Sequence, residues 1–349
     1  MTKFHFSTAV AIASVCLTPL AFGQQPREKP KELEILGQYV GDWTSDVMGK
    51  PAVWTPEEKK FKTSNHAEFV LDGWFLHHIE VTHEVGNPKQ VGKSLFIWTF
   101  DPKSKRYVEW LFQSSGVIGK WVGTWNPRDK SLTATSPDLP PMTSGKFVEA
   151  FPNESTINGT LVFTDNDGKT LFDMVWTRKR QAGIGGKPTR QQWSEVGRSI
   201  EPIPDQIKKL QPFIGEWDSD FIQRPSVVSP KGGTSKGRMT AKWILDGRFL
   251  FGTTEVGNHK SNWIMGYDTN KNAYRYIRFT NTGLIVESTG QWSEETRSFF
   301  WELVNAPSGI TRTYTSRIVG SDAIHAHILA KKKDGTVQMD LTIRSTRRK

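Results

Sequence analysis

The feature that most constrains this chain is that it is written twice. Leu36, Gly41, Trp43, Ser45 and Asp46 recur as Leu210, Gly215, Trp217, Ser219 and Asp220, each 174 positions later. Val70 to Leu76 meets Ile244 to Leu250 at the same interval, with Asp72-Gly73 answered by Asp246-Gly247. Further on, Asp101, Gly116, Trp125 and Gly168 match Asp268, Gly283, Trp292 and Gly335 at an interval of 167. The period is far longer than the roughly 20 to 50 residues of stacked repeats, so two homologous domains are expected rather than a solenoid. The shared residues are turn formers and packing residues, not reactive groups. They specify an architecture before they specify an activity.

Both copies read as strands divided by turns. Phe61 to Leu71 and Trp74 to Glu84 are rich in aromatic and β-branched residues, and Asp72-Gly73 between them suits a two-residue hairpin turn. Turn signals follow at Asp101-Pro102, Asn126-Pro127 and Asp167-Gly168, and in the second copy at Asp268-Thr269, Ser293-Glu294 and Asp334-Gly335. This punctuation predicts an all-β meander of about eight to ten strands per copy. Such a meander must hide its edge strands, and closing into an antiparallel barrel is the common solution. Short amphipathic turns at Pro30 to Tyr39 and Pro204 to Ile214 are expected to cap one end of each sheet. The expected layout is a signal peptide over 1–23, a first barrel over 31–180, a linker over 181–204 and a second barrel over 205–349.

Met1-Thr2-Lys3, the apolar run Ala9 to Leu20 and Ala21-Phe22-Gly23 fit a secretory signal cleaved near Gly23. Export to the periplasm or the medium is therefore expected, with no transmembrane segment in the mature chain. The one cysteine, Cys16, lies inside the signal, so disulfides and thiolate chemistry are excluded after cleavage. The formal charge of +10 favours anionic surfaces through long-range attraction, and a solvated basic exterior accounts for it most simply.

Gly41-Asp42-Trp43 and Gly215-Glu216-Trp217, each entering a first strand after a short helical turn, resemble the Gly-x-Trp signature of lipocalin-like (calycin) barrels. Leu36 to Lys179 and Leu210 to Arg347 as wholes resemble an exported bacterial family of unknown function. That family is marked by Leu-x-x-x-x-Gly-x-Trp, Leu-Asp-Gly-Arg-Phe-Leu and a terminal Thr-Arg-Lys. The second copy carries Leu245 to Leu250 in full; the first has Trp74 in place of the Arg and keeps Thr177-Arg178-Lys179. The resemblance implies two tandem lipocalin-like barrels, with Gly41, Trp43, Asp72, Gly73, Gly215, Trp217, Asp246 and Gly247 as structural signature. It also implies that an Arg of the last strand covers each signature Trp, and it implies no reaction.

Candidate chemistry is sparse. On the strand after the first hairpin, Phe75, His77, Ile79, Val81 and His83 share one face, read here as inward. Phe75 and His77, with their counterparts Phe249 and Phe251, are the expected ligand-binding residues. His325-Ala326-His327 places two imidazoles on one side of a strand, roughly 6 to 7 Å apart, and is the metal candidate. Haem, if held, has only His325 or His327 as a ligand, and no cofactor is otherwise expected. Tyr274 to Phe279 interleaves aromatics with cations, but an exterior strand face explains it and no nucleic acid is expected. Trp54, Trp121, Trp193 and Trp263 are read as free to act at a surface, and the pair Glu80 and Glu84 as solvated charges.

Three functions fit the sequence. The leading one is an exported, non-enzymatic two-barrel protein binding a small apolar ligand in a barrel cavity. A hydrolase or isomerase with one active barrel is the second. The third is a module binding anionic envelope polymers through its basic surplus.

Overall fold

The computed structural model describes residues 28–136, 143–181, 202–304 and 308–349; the expected signal peptide and nearly all of the expected linker lie outside them. The chain forms two closed ten-stranded antiparallel barrels in which every strand pairs with its sequence neighbours and the last pairs with the first. The first comprises β1 (Gly41–Lys50), β2 (Lys59–Val70), β3 (Phe75–Glu84), β4 (Asn87–Asp101) and β5 (Arg106–Gln113), then β6 (Ile118–Asn126), β7 (Ser131–Ser136), β8 (Thr143–Asn153), β9 (Thr156–Asp165) and β10 (Thr170–Arg180). The second comprises β11 (Gly215–Gln223), β12 (Gly233–Ile244), β13 (Phe249–Val256), β14 (His259–Asp268) and β15 (Ala273–Thr280), then β16 (Ile285–Ser293), β17 (Ser298–Leu303), β18 (Ile310–Val319), β19 (Ala323–Lys332) and β20 (Val337–Arg347). Closure satisfies every edge, which an open sheet of ten strands cannot do. Among the described residues, no helix is long and apolar enough to cross a membrane.

Each barrel is closed at one end by the helical turn before it. In the first, α1 (Leu33–Leu36) and the 3-10 turn Gly37–Tyr39 bury Leu33, Leu36 and Tyr39; in the second, the 3-10 helix Asp205–Phe213 buries Ile207, Leu210 and Phe213. The caps are tied down alike. Tyr107 donates to the Glu32 carbonyl and Tyr274 to that of Gln206, both at 2.9 Å. The Trp43 indole donates to the Tyr39 carbonyl at 2.8 Å and the Trp217 indole to Phe213 at 2.9 Å. Over each ring lies an Arg of the closing strand, Arg180 on Trp43 and Arg347 on Trp217, each 4.2 Å from the ring centroid. Both guanidinium groups also donate to cap carbonyls, of Val40 and Gln38 in one barrel and of Ile214 and Pro212 in the other. The covering Arg of the first copy is thus Arg180, which frees Arg178 of the Thr-Arg-Lys triplet for the interior.

The hairpin after β2 is longer than the two-residue turn that Asp72-Gly73 suggests. Val70 pairs with Phe75, and Leu71, Asp72 and Gly73 all take positive φ, at 52°, 58° and 85°. Leu245, Asp246 and Gly247 repeat this at 50°, 59° and 86°. A left-handed Leu costs about 1 to 2 kcal/mol. Burial offsets it: Leu71 packs against the core and Leu245 is 5% exposed within it.

These turns are where the barrels meet. Phe75 packs edge-on to Phe279 at 5.2 Å and Phe249 to Phe112 at 5.5 Å, a reciprocal exchange because Phe249 and Phe279 are the repeat counterparts of Phe75 and Phe112. Trp74 lies against Gly283 and Arg248 against Gly116, again counterparts. Lys120 meets Glu287 at 2.6 Å, and the His77 ring meets Phe251 at 5.9 Å. In these last two contacts each residue faces its own counterpart, which places both on a local two-fold axis. The first core runs on through Leu245, Phe249, Ile264, Ile277 and Phe279 of the second barrel.

Candidate functional site

The seam corrects the reading of β3. Strand β3 is buried on both sides at its start, and the face carrying Phe75 and His77 looks out at the second barrel, not into the first. Phe249 belongs to the same seam, as does Phe251. These four residues therefore come together between the barrels. His77 is 8% exposed, its Nε2 lacks a hydrogen bond, and burial lowers its pKa to about 4, so it packs as a neutral ring.

The opposite face of β3, carrying Leu76, His78 and Glu80, lines the first barrel. His78 stacks on Phe96 at 4.9 Å and lies beside Tyr39. Below it sit three carboxylates and one guanidinium. Glu149 on β8 receives the Tyr39 hydroxyl at 2.5 Å, the Trp176 indole at 3.1 Å and the Arg178 guanidinium at 3.1 Å. Glu80 accepts from Asn65 at 3.1 Å and Thr82 at 3.3 Å, with Arg178 at 3.9 Å, and Thr63 holds the Asn65 amide oxygen at 2.9 Å. Glu109 on β5 is 2% exposed and, among the described residues, has neither hydrogen bond nor ion pair. One Arg cannot balance three carboxylates in a dry interior, so charge must be withdrawn by protonation. Burial accordingly raises the Glu109 carboxyl well above its ordinary range and raises Glu80, against the pull of Arg178.

Alternation places these groups. Trp176 and Arg178 are two apart on β10 and share the inward face, as do Phe147 and Glu149 on β8. The interior is close-packed near them: a Cβ on Gly159 would overlap the Trp176 ring, and Phe147 meets both Trp98 and Trp121. Away from the cap the wall is aromatic and half-exposed. Phe163 touches Trp54, Trp121 and Phe172 at 5.7 to 6.0 Å, and Trp54 is 55% exposed. Further toward the cap, the Glu80 side chain is 17% exposed.

The second barrel keeps the shell and loses these four charged groups. Glu80, Glu109, Glu149 and Arg178 have Thr254, Tyr276, Ser316 and Ser345 as counterparts. There Ser219 and Ser345 bond each other at 2.7 Å, and the Trp301 and Trp263 indoles donate to Ser316 and Thr254 at 3.3 and 3.2 Å. The loss of these charges shows when the copies are aligned at their intervals of 174 residues for Glu80 and 167 for the other three. Reading each strand singly hides it, which is how Glu80 passes for a solvated charge.

The other candidates lie apart from this interior. His325 and His327 sit on the outer face of β19, His325 exposed between Arg317 and Arg344 in the sheet and His327 bonded to Asp340 at 2.9 Å. Among the described residues, no group of three or more His, Cys, Asp or Glu could hold a metal ion. Trp121 and Trp263, expected at a surface, are 5% and 2% exposed; Trp54 is at the surface, and Trp193 lies outside the described residues. The strand Tyr274 to Phe279 has no exterior face, since Tyr274 and Tyr276 fill the second barrel while Ile277 and Phe279 pack into the seam. Two surface crevices, of about 310 and 370 Å³, lie at the seam beside Asp72 and Lys260 and at the second cap beside Lys209 and Trp292, both outside the barrel interiors.

The fold and its interior define a tandem β-barrel protein with one charged and one uncharged set of counterpart positions. Residues 28–175 match the model of a protein family of unknown function, DUF1579. Among solved structures, the chain is similar to the S-type phycobiliprotein lyase CPES from Guillardia theta at 13% identity, over 43% of this chain and 92% of that one, with a TM-score of 0.32. It is similar to Rv2717c from M. tuberculosis at 15% identity over 44% and 99%, with a TM-score of 0.36. A DUF3598-family protein of unknown function from Nostoc punctiforme matches at 12% identity over 92% and 100%, with a TM-score of 0.27. Comparison with curated proteins finds no match.

Proposed function

We propose that this is an exported binding protein that takes a small, mostly apolar molecule into the far end of its first barrel. The apolar body lies on Phe163, Phe172 and Trp54, and one hydrogen-bond donor of the ligand reaches Glu80 and Glu109. One observation carries this reading: a buried, charge-unbalanced acid cluster stands in one barrel, while its counterpart reaches the same closed fold with hydroxyls. Burying carboxylates is costly and is not needed for the shell. The signal peptide expected over 1–23 supports the compartment. Extraction of the purified mature protein followed by mass spectrometry tests the reading. A small molecule should co-purify with the wild type and be lost from Glu80→Gln/Glu109→Gln; a protein that returns no molecule from any preparation, or the same one from both, contradicts it.

An enzymatic reading has one specific support, the raised Glu109 carboxyl, which burial makes hold its proton more tightly than an exposed glutamate does. It requires turnover abolished by Glu109→Gln and leaves no role for His77 or His325/His327.

A further inference from the structure

The second barrel carries its own unbalanced charge, of opposite sign. Strands β15 and β18 turn Tyr276 and Tyr314 inward, where their rings meet at 5.9 Å, and two residues further from the cap side the same faces carry Arg278 and, on β18, Arg312. Both guanidinium groups are partly buried, and the Nε of each is buried without a hydrogen bond. Arg278 donates to His259 Nε2 at 2.8 Å, which leaves that imidazole neutral, since burial and Arg278 together lower its pKa to about 4. Among the described residues, neither Arg has a carboxylate partner, and the positions of β11 to β20 in the inward phase carry no Asp or Glu. The counterparts of Arg278 and Arg312 in the first barrel are Leu111 and Gly145, so the barrel shell does not require them.

Two cations enclosed by one barrel with two phenols and no anion are unfavourable in the empty protein; burial and Arg278 already weaken the hold of Arg312 on its proton. Around them Ile310, Tyr314 and Ile343 form a half-buried apolar margin. We infer that the second barrel is a separate site for an organic oxyanion, a carboxylate on an apolar body, with Arg278 and Arg312 holding the charge and Tyr276 and Tyr314 donating to it. The fixed forks of two guanidinium groups suit a planar carboxylate. The site stands independently of the first-barrel reading.

The test is calorimetric titration of the full mature chain with decanoate, decanol and sulfate. Decanoate should bind at one site, and Arg278→Met and Arg312→Met should each weaken it about tenfold or more, as loss of a charge-assisted bond does. Arg317→Met on the outer face of β18 should leave it unchanged. Thermal melts distinguish a ligand role from a structural one: without ligand, Arg312→Met should melt at the same temperature as the wild type or higher, because it removes an uncompensated charge. No saturable decanoate binding, decanol binding that is equal to it and lost in the same Arg278→Met/Arg312→Met variant, binding of sulfate alone, or decanoate binding that survives Arg278→Met/Arg312→Met would each overturn the proposal. So would a clear fall in the melting temperature of Arg312→Met.

Discussion

Glu109, buried with no bonded partner, sets the pH behaviour of the first barrel. Its carboxyl is raised in the folded chain, so the stability it contributes is complete below its unfolded pKa and is lost as pH rises through the folded value. Glu109→Gln should therefore equal the wild type near pH 4 and exceed it at neutral and alkaline pH, which urea denaturation across that range measures. Arg178 works in the other sense, because removing it strands Glu149 and Glu80. Arg178→Met should cost about 3 to 5 kcal/mol, the scale for breaking a buried pair. His77 shows the mirror-image linkage. With its pKa lowered to about 4 from an unfolded 6.5, its contribution is present above that unfolded value and lost as pH falls through 4, about 3 kcal/mol in all. His77→Phe, which copies its counterpart Phe251, should abolish that acid loss.

At the level of the elements, two left-handed turn glycines, one in the seam and one away from it, separate strain from contact. Gly283 has a φ of +77° and would press a Cβ into the Trp74 ring, whereas Gly168 has a φ of +81° with open space around it. Ala at Gly168 should cost only the left-handed penalty of about 1 kcal/mol, and Ala at Gly283 distinctly more, with blue-shifted or quenched Trp74 fluorescence reporting the seam. The seam also explains which parts of the fold were legible in sequence. Repeat spacing, turn residues and Gly-x-Trp sufficed for two closed barrels with capped ends, because those features are local. Alternation fails on β3 for a physical reason: both of its faces are buried, one in the barrel and one in the seam, so period 2 identifies two faces without saying which is inside. Alternation thus points Phe75 and His77 into an interior they do not enter, while His78 and Glu80, one register away, line it. Asp72-Gly73 likewise announced a turn and concealed the left-handed Leu71, whose conformation depends on the neighbouring barrel.

Across the whole molecule, the two barrels form an interface of the kind a homodimer makes, but with complementary residues where a homodimer would set like against like. Two copies of the first barrel would face Lys120 with Lys120, and two of the second Glu287 with Glu287. The fused pair sets Lys120 against Glu287, with Arg275 3.6 Å from the same carboxylate. Separately expressed 28–181 and 202–349 should therefore sediment together as a one-to-one pair in preference to either homodimer, and Lys120→Glu should remove that preference. Inside this symmetrical shell the interiors diverge, acidic in the first barrel and cationic in the second, and this divergence carries the functional account. Its most direct test is an NMR pH titration of the side-chain carboxyl carbons of Glu80 and Glu109. Glu109 should titrate well above an exposed glutamate, and Glu80 above it too. If both instead ionise in the range of solvated glutamates, the first barrel holds no buried acid cluster and the account fails.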